Sequence, residues 1–139
     1  MVGMVEDVAP ADVWRILTER ADAQLVDVRT DAEWAYVGVP DLSPLGRRVH
    51  LVQWQSFPTG APNGAFLEQL QESGVTPEQP VFFICRSGAR SLYAAERAQQ
   101  NGYGSVFNVA DGFEGPPDSY GHRGQVAGWK MSGLPWRQG

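Results

Sequence analysis

Val81-Phe82-Phe83-Ile84-Cys85-Arg86-Ser87-Gly88-Ala89-Arg90 is the stretch on which the reading of this chain turns. Its first four residues are continuously apolar and β-branched or aromatic, as expected of a strand covered on both faces in a parallel sheet, and Pro80 introduces it. After Arg90 comes Ser91-Leu92-Tyr93-Ala94-Ala95-Glu96-Arg97-Ala98, an alanine-rich run that predicts a helix ending near Asn101-Gly102. Strand, tight loop and helix together place Cys85 at the crossover, where the C-terminal end of a buried strand feeds the N-terminus of a helix.

Working outward, the pattern alternates. Val13, Ile16 and Leu17 recur at helical spacing behind Pro10 and predict an amphipathic helix over residues 10–20. Leu25-Val26-Asp27-Val28 reads as a buried strand, and a short helix is expected over Asp31 to Tyr36. Gly38, Pro40, Pro44 and Gly46 mark residues 37–48 as a surface loop. Val49 to Trp54 reads as a strand and Phe57 to Gly64 as a loop. Phe66, Leu67 and Leu70 give the stripe of a further helix ended by Gly74, Val106 to Val109 a last strand, and Asp111 to Gly128 a long loop. Strands alternating with helices imply one α/β domain over residues 1–139 with a mainly parallel sheet, whose ligands sit at the C-terminal ends of its strands.

Composition narrows the function. Lys+Arg 11 against Asp+Glu 16 gives a net charge of -5, which argues against a nucleic-acid or anionic-membrane surface, so any anion site must be local. Met1 to Pro10 is short, mixed and acidic, unlike a signal peptide, and Val81 to Cys85 is far too short to span a bilayer; a cytoplasmic protein is expected. The single cysteine leaves no disulfide, no C-x-x-C pair and no cysteine-rich zinc site. His50 and His122 lack metal-ligand spacing, so neither a metal nor another cofactor is expected.

A thiol at this crossover is surrounded by unpaired backbone N–H groups and the positive end of a helix dipole, which favour a thiolate and then hold an anion. Arg86 and Arg90 reinforce that field, while Ser87, Gly88 and Ala89 let the chain curl with its N–H groups inward. An inert core thiol is the usual fate of a lone cysteine, but such a thiol has no need of two arginines in a curled loop. The expected site is therefore Cys85 as nucleophile, with Arg86, Ser87, Gly88, Ala89 and Arg90 forming the substrate-binding ring.

At this point the sequence resembles the rhodanese family of sulfurtransferases over most of its length. The resemblance is carried by Leu25-Val26-Asp27-Val28-Arg29 with Glu33-Trp34, by Cys85 to Ser91, and by Asn108-Val109 leading to Asp111-Gly112-Phe113-Glu114-Gly115, then Gly128-Trp129 and Gly133-Leu134-Pro135. It implies a three-layer α/β fold with a five-stranded, mainly parallel sheet flanked by helices. It also implies that Cys85 takes a sulfane sulfur from a donor and passes it to a thiophilic acceptor, in ping-pong fashion. Thiosulfate or a small persulfide is the implied donor, and cyanide, a thiol or a protein the acceptor. Asp27, Arg29 and Ser91 are implied to brace the active loop.

The sequence departs from the family at Gly38-Val39-Pro40-Asp41-Leu42-Ser43, where a histidine is usual, and at Pro116 to Gly128, an insertion carrying His122 and Arg123 that could lean over the loop. Two other readings stand beside the enzyme: a sulfur-delivery or regulatory module on the same fold, and phosphatase or arsenate reductase chemistry. The ring between Cys85 and Arg90 encloses four residues where related phosphatases have five, and no resolving cysteine is present, which favours sulfur over phosphoryl transfer.

Overall fold

Alternation along one strand organises both halves of the core. In the computed structural model, which describes residues 4–138, the chain runs β1 (Glu6–Val8), α1 (Pro10–Glu19), β2 (Gln24–Asp27), α2 (Asp31–Val37), β3 (Val39–Pro40), a 3-10 turn (Ser43–Leu45) and β4 (His50–Leu51). It continues through α3 (Phe66–Glu72), β5 (Pro80–Ile84), α4 (Ala89–Gln100), β6 (Ser105–Val109) and β7 (Trp136–Arg137). Residues 1–3 and 139 of the expected domain, and with them part of the Met1 to Pro10 segment, lie outside the described residues.

Five strands form one sheet in the order β1-β6-β5-β2-β4, with every neighbouring pair parallel and β5 at its centre. Side chains of a strand point alternately to opposite faces. Val81 and Phe83 pack with Leu70 of α3 and Ala94, Ala95 and Ala98 of α4, whereas Phe82 and Ile84 pack with Val13 and Leu17 of α1 and with Trp129. All of these are at most 2% exposed, and burying a residue such as Phe83 contributes roughly 2–3 kcal/mol. Cys85 continues the odd-numbered set, so its side chain lies on the α4 side of the sheet.

The helix starts have local causes. Pro10 occupies the first turn of α1, where its missing N–H costs nothing. Thr30 and Glu33 close a reciprocal capping box at the start of α2. Gly88 caps α4 with φ 117°, a backbone that a side chain would strain.

Two expectations need correction. Residues 37–48 are not simply a surface loop: Val39, Pro40 and Leu42 are buried, and β3 pairs antiparallel with β7, Val39 opposite Arg137 and Pro40 opposite Trp136. The strand expected over Val49 to Trp54 is regular only at His50–Leu51; beyond it Val52 and Trp54 still donate to the carbonyls of Asp27 and Val28, so the chain follows β2 without keeping a ladder. β1 and β7 were not anticipated, because segments of three and two residues carry no alternation to read. Among the described residues no helix is long and apolar enough to cross a membrane, and no group of three His, Cys, Asp or Glu is placed to hold a metal ion.

Candidate active site

Cys85 follows the last residue of β5 and is 1% exposed. Its Sγ accepts the Gly88 N–H at 3.2 Å and lies 3.1 Å from the Ser91 hydroxyl, so the loop curls around the sulfur as its glycine and helix start require. The curl is clamped from outside by the turn after β6. Phe113 N–H donates to the Cys85 carbonyl, and the Glu114 and Gly115 N–H groups donate to the Arg86 carbonyl. A Cβ at Gly112 would meet the Cys85 carbonyl oxygen at 2.5 Å and the Arg86 carbonyl carbon at 2.7 Å; only glycine permits this approach.

The two arginines of the ring each have a carboxylate. Arg90 makes a bidentate pair with Glu33 of α2, Nη1 to Oε1 at 2.6 Å and Nη2 to Oε2 at 2.8 Å, its side chain 24% exposed against 21% for Glu33. Burial works to raise the Glu33 carboxyl, but the Arg90 hydrogen bonds, the Thr30 N–H and the Arg90 and Arg29 charges outweigh it and hold Glu33 at about 2. Arg90 is raised in turn, chiefly by its hydrogen bonds to Glu33 against the cost of burial, with smaller help from the charges of Glu33, Cys85 and Asp27. Arg86 is half exposed, with Nε 3.8 Å from a Glu114 carboxylate oxygen, a loose contact of little energy.

Asp27 and Arg29 form a fully buried pair at the end of β2. Arg29 donates from its backbone N–H, Nε and Nη2 to the Asp27 carboxylate, and from Nη2 to the Gly38 carbonyl, which ties the end of α2 to the sheet. Its guanidinium carbon lies 4.4 Å over the ring of Phe113, the residue whose N–H holds the Cys85 carbonyl. The brace thus reaches the loop through Phe113. Ser91, in the first turn of α4, is fully buried beside Cys85, while Ser87 and Ala89 face solvent.

Beside the loop lies a groove of about 620 Å³ walled by Tyr36 and Val37 of α2, by Phe57 and Pro58, and by Arg86 and Arg90. Tyr36 and Phe57 are 81% and 64% exposed. Glu33 and Glu114 also line it, whereas no residue of the Pro116 to Gly128 insertion does. That insertion folds back on itself: Gly124 N–H donates to the Glu114 carbonyl, Arg123 to the Gly115 carbonyl, and the His122 backbone pairs with Asp118. Tyr36 and Phe57 are site residues that sequence reasoning missed; Glu33, Glu114 and Asn108, the last within hydrogen-bond reach of Ser91, entered it only as parts of the family motifs, with no role given.

The fold agrees with what this chain is similar to. The sequence model of a family described as the STR4 middle domain matches residues 6–139. A sulfurtransferase of Allochromatium vinosum is 30% identical over 132 residues, 95% of this chain and 94% of that protein. The chain belongs to the rhodanese-like sulfurtransferase family. The crystal structure of Rv0390 from M. tuberculosis superposes on this rhodanese-like chain with a TM-score of 0.88 at 47% identity, covering 99% of this chain and 100% of that one. A rhodanese-like domain protein from Staphylococcus aureus shares the fold, with a TM-score of 0.60 at 22% identity over 96% of this chain and 99% of that one.

Proposed function

We propose that this rhodanese-like domain is a sulfurtransferase in which Cys85 takes a sulfane sulfur from thiosulfate or a small persulfide, carries it as a persulfide, and yields it to cyanide, a thiol or a protein thiol. The observation that carries the reading is Sγ at the end of the central strand, ringed by the Gly88 N–H and the Ser91 hydroxyl beneath the α4 N-terminus. A fixed backbone N–H on the sulfur, with a hydroxyl beside it that can turn to donate or accept, suits a group that alternates between persulfide and thiolate. The reaction needs no metal or organic cofactor. Nucleic acid and membrane are not among the partners proposed, in keeping with the net charge of -5, and the setting proposed is the cytoplasm, in keeping with a single unpaired cysteine.

Between the two donors, the groove supports the small persulfide. Each ring arginine faces a carboxylate, so little net positive charge remains for a dianion, while Tyr36, Val37, Phe57 and Pro58 offer apolar surface to an organic body. The same exposed aromatics favour a second reading, a sulfur-delivery module whose acceptor is a protein and whose free turnover is low.

Intact mass spectrometry tests both. After incubation with glutathione persulfide or thiosulfate and desalting, the protein should carry one extra sulfur that cyanide removes, and Cys85→Ser should carry none. A wild type left unmodified by every sulfane donor sinks the enzyme. A loaded protein that small thiols and cyanide discharge only slowly favours delivery to a protein.

A further inference from the structure

Ser91 lies in donating geometry to three acceptors: Asn108 Oδ1 at 2.5 Å, Cys85 Sγ at 3.1 Å and the Gly88 carbonyl at 3.3 Å. A hydroxyl has one proton, so it can serve only one of them fully. The orientation of the Asn108 side chain decides which. Its Nδ2 donates to the Asp7 carboxylate at 3.0 Å and to the Gly88 carbonyl at 3.1 Å. Both partners only accept, so the amide nitrogen must face them and the amide oxygen must face Ser91. That oxygen only accepts in turn, which draws the Ser91 proton away from sulfur. The lone pairs of the Ser91 oxygen are then left facing Sγ, able to accept a hydrogen bond from a Cys85 thiol.

We propose that Asn108, locked by Asp7 on strand β1, is a positioning residue that sets through Ser91 how readily Cys85 takes the anionic form. With a thiol or a persulfide at Cys85, the Ser91 proton rests on Asn108. With a thiolate, the hydroxyl turns, gives up Asn108 and donates to Sγ. Asn108 and the sulfur compete for one proton, so the amide restrains the thiolate and Ser91 stabilises it.

The use of this device in sulfur transfer rests on the sulfurtransferase reading above. When an acceptor thiolate RS⁻ attacks the terminal sulfur of Cys85–S–SH, a new S–S bond forms in RS–SH. The bond to Sγ breaks with its electron pair, and Cys85 leaves as a thiolate. Rotation of the Ser91 hydroxyl from Asn108 to Sγ meets that charge as it appears, and nothing is consumed.

The other charged groups near the sulfur are the Arg90–Glu33 pair of the loop and α2, the Asp27–Arg29 pair of β2, and Arg86 with Glu114; Asp7 lies behind Asn108. Substitution at 91 or 108 leaves the two ion pairs and the Arg86–Glu114 contact unaltered; only Asp7 loses a hydrogen-bond donor, and only in Asn108→Ala.

Since Cys85 is the chain's one cysteine, the pH profile of its alkylation by iodoacetamide reads this site alone and needs no sulfur donor. Asn108→Ala should move the midpoint of that profile to lower pH, with alkylation below the midpoint about threefold to tenfold faster, the scale of one hydrogen bond. Ser91→Ala should move it to higher pH by a similar factor. Because Asn108 acts through Ser91, adding Asn108→Ala to Ser91→Ala should change nothing further. Asp7→Ala, at an exposed position and safe for folding, releases the amide and should shift the midpoint in the direction of Asn108→Ala by a smaller factor.

A shift to higher pH in Asn108→Ala or Asp7→Ala overturns the proposal. So does an Asn108→Ala shift that persists undiminished without Ser91. If the profiles behave as expected but no sulfane donor loads Cys85, the positioning role stands and the sulfurtransferase reading falls.

Discussion

Replacing Glu33 by glutamine removes one charge from the groove and keeps nearly every atom in place, including an amide oxygen able to accept the Thr30 N–H that closes the α2 cap. In the folded protein the Glu33 carboxyl is held at about 2 against an ordinary 4.5. At about 1.4 kcal/mol per unit that difference is worth roughly 3 kcal/mol at neutral pH, and the partial exposure of both side chains reduces the expectation to about 1–3 kcal/mol. Its pH dependence has a fixed sign. Between about 2 and 4.5 the unfolded chain binds a proton at Glu33 that the folded chain does not, so stability rises with pH across that window and is lost as pH falls through it. Urea unfolding of wild type and Glu33→Gln over a series of pH values should show a gap of about 1–3 kcal/mol at pH 7 that closes as the pH approaches 2. A gap that stays constant down to low pH, or no gap at pH 7, would refute the assignment of this ion pair as a stabilising contact. The same variant leaves Arg90 without its carboxylate beside the groove, so loading of Cys85 by thiosulfate should rise several-fold relative to loading by glutathione persulfide.

Other perturbations have equally direct outcomes. Asp27→Ala leaves a fully buried Arg29 guanidinium uncompensated and should cost about 3–5 kcal/mol in unfolding experiments, whereas the double change Asp27→Leu with Arg29→Met should recover most of that loss. Gly112→Ala places a methyl group 2.5 Å from the Cys85 carbonyl oxygen at a residue with φ 63°. It should cost about 2 kcal/mol or more, and it should slow persulfide formation even where the protein remains folded, which single-turnover loading followed by mass spectrometry would reveal. Tyr36→Ala and Phe57→Ala should each lower kcat/KM for an organic persulfide about threefold to tenfold while leaving thiosulfate turnover nearly unchanged; equal losses for both donors would contradict the assignment of the groove to the organic body.

The parts of the fold that were legible are those in which local pattern and burial coincide. Val81 to Ile84 is apolar on both faces because it lies between α1 on one side and α3 and α4 on the other, and the same burial makes it readable as a central strand. The loop from Cys85 to Arg90 was legible because its chemistry is contiguous in sequence. What escaped is what lies far apart along the chain. Arg90 reaches Glu33 across 57 positions and Asn108 reaches Asp7 across 101, and neither partner has a local pattern that announces the pairing. An arginine in an anion-binding ring and an arginine held by a carboxylate are the same letter in the sequence. β3 and β7 escaped for the related reason that a two-residue ladder rests wholly on its partner.

The paired charges at the groove also bear on how the protein meets its substrates. An enzyme that gathers anions by a strong local field associates more slowly as salt is added and is crowded by the phosphate and sulfate of its surroundings. Here Arg90 and Arg86 already face Glu33 and Glu114 on a chain of net charge -5. Added salt should therefore not slow encounter with an anionic donor, because it screens the repulsion of a negative chain, and abundant inorganic anions should be poor competitors. Selection is left to the shape and apolar surface of whatever carries the sulfur in.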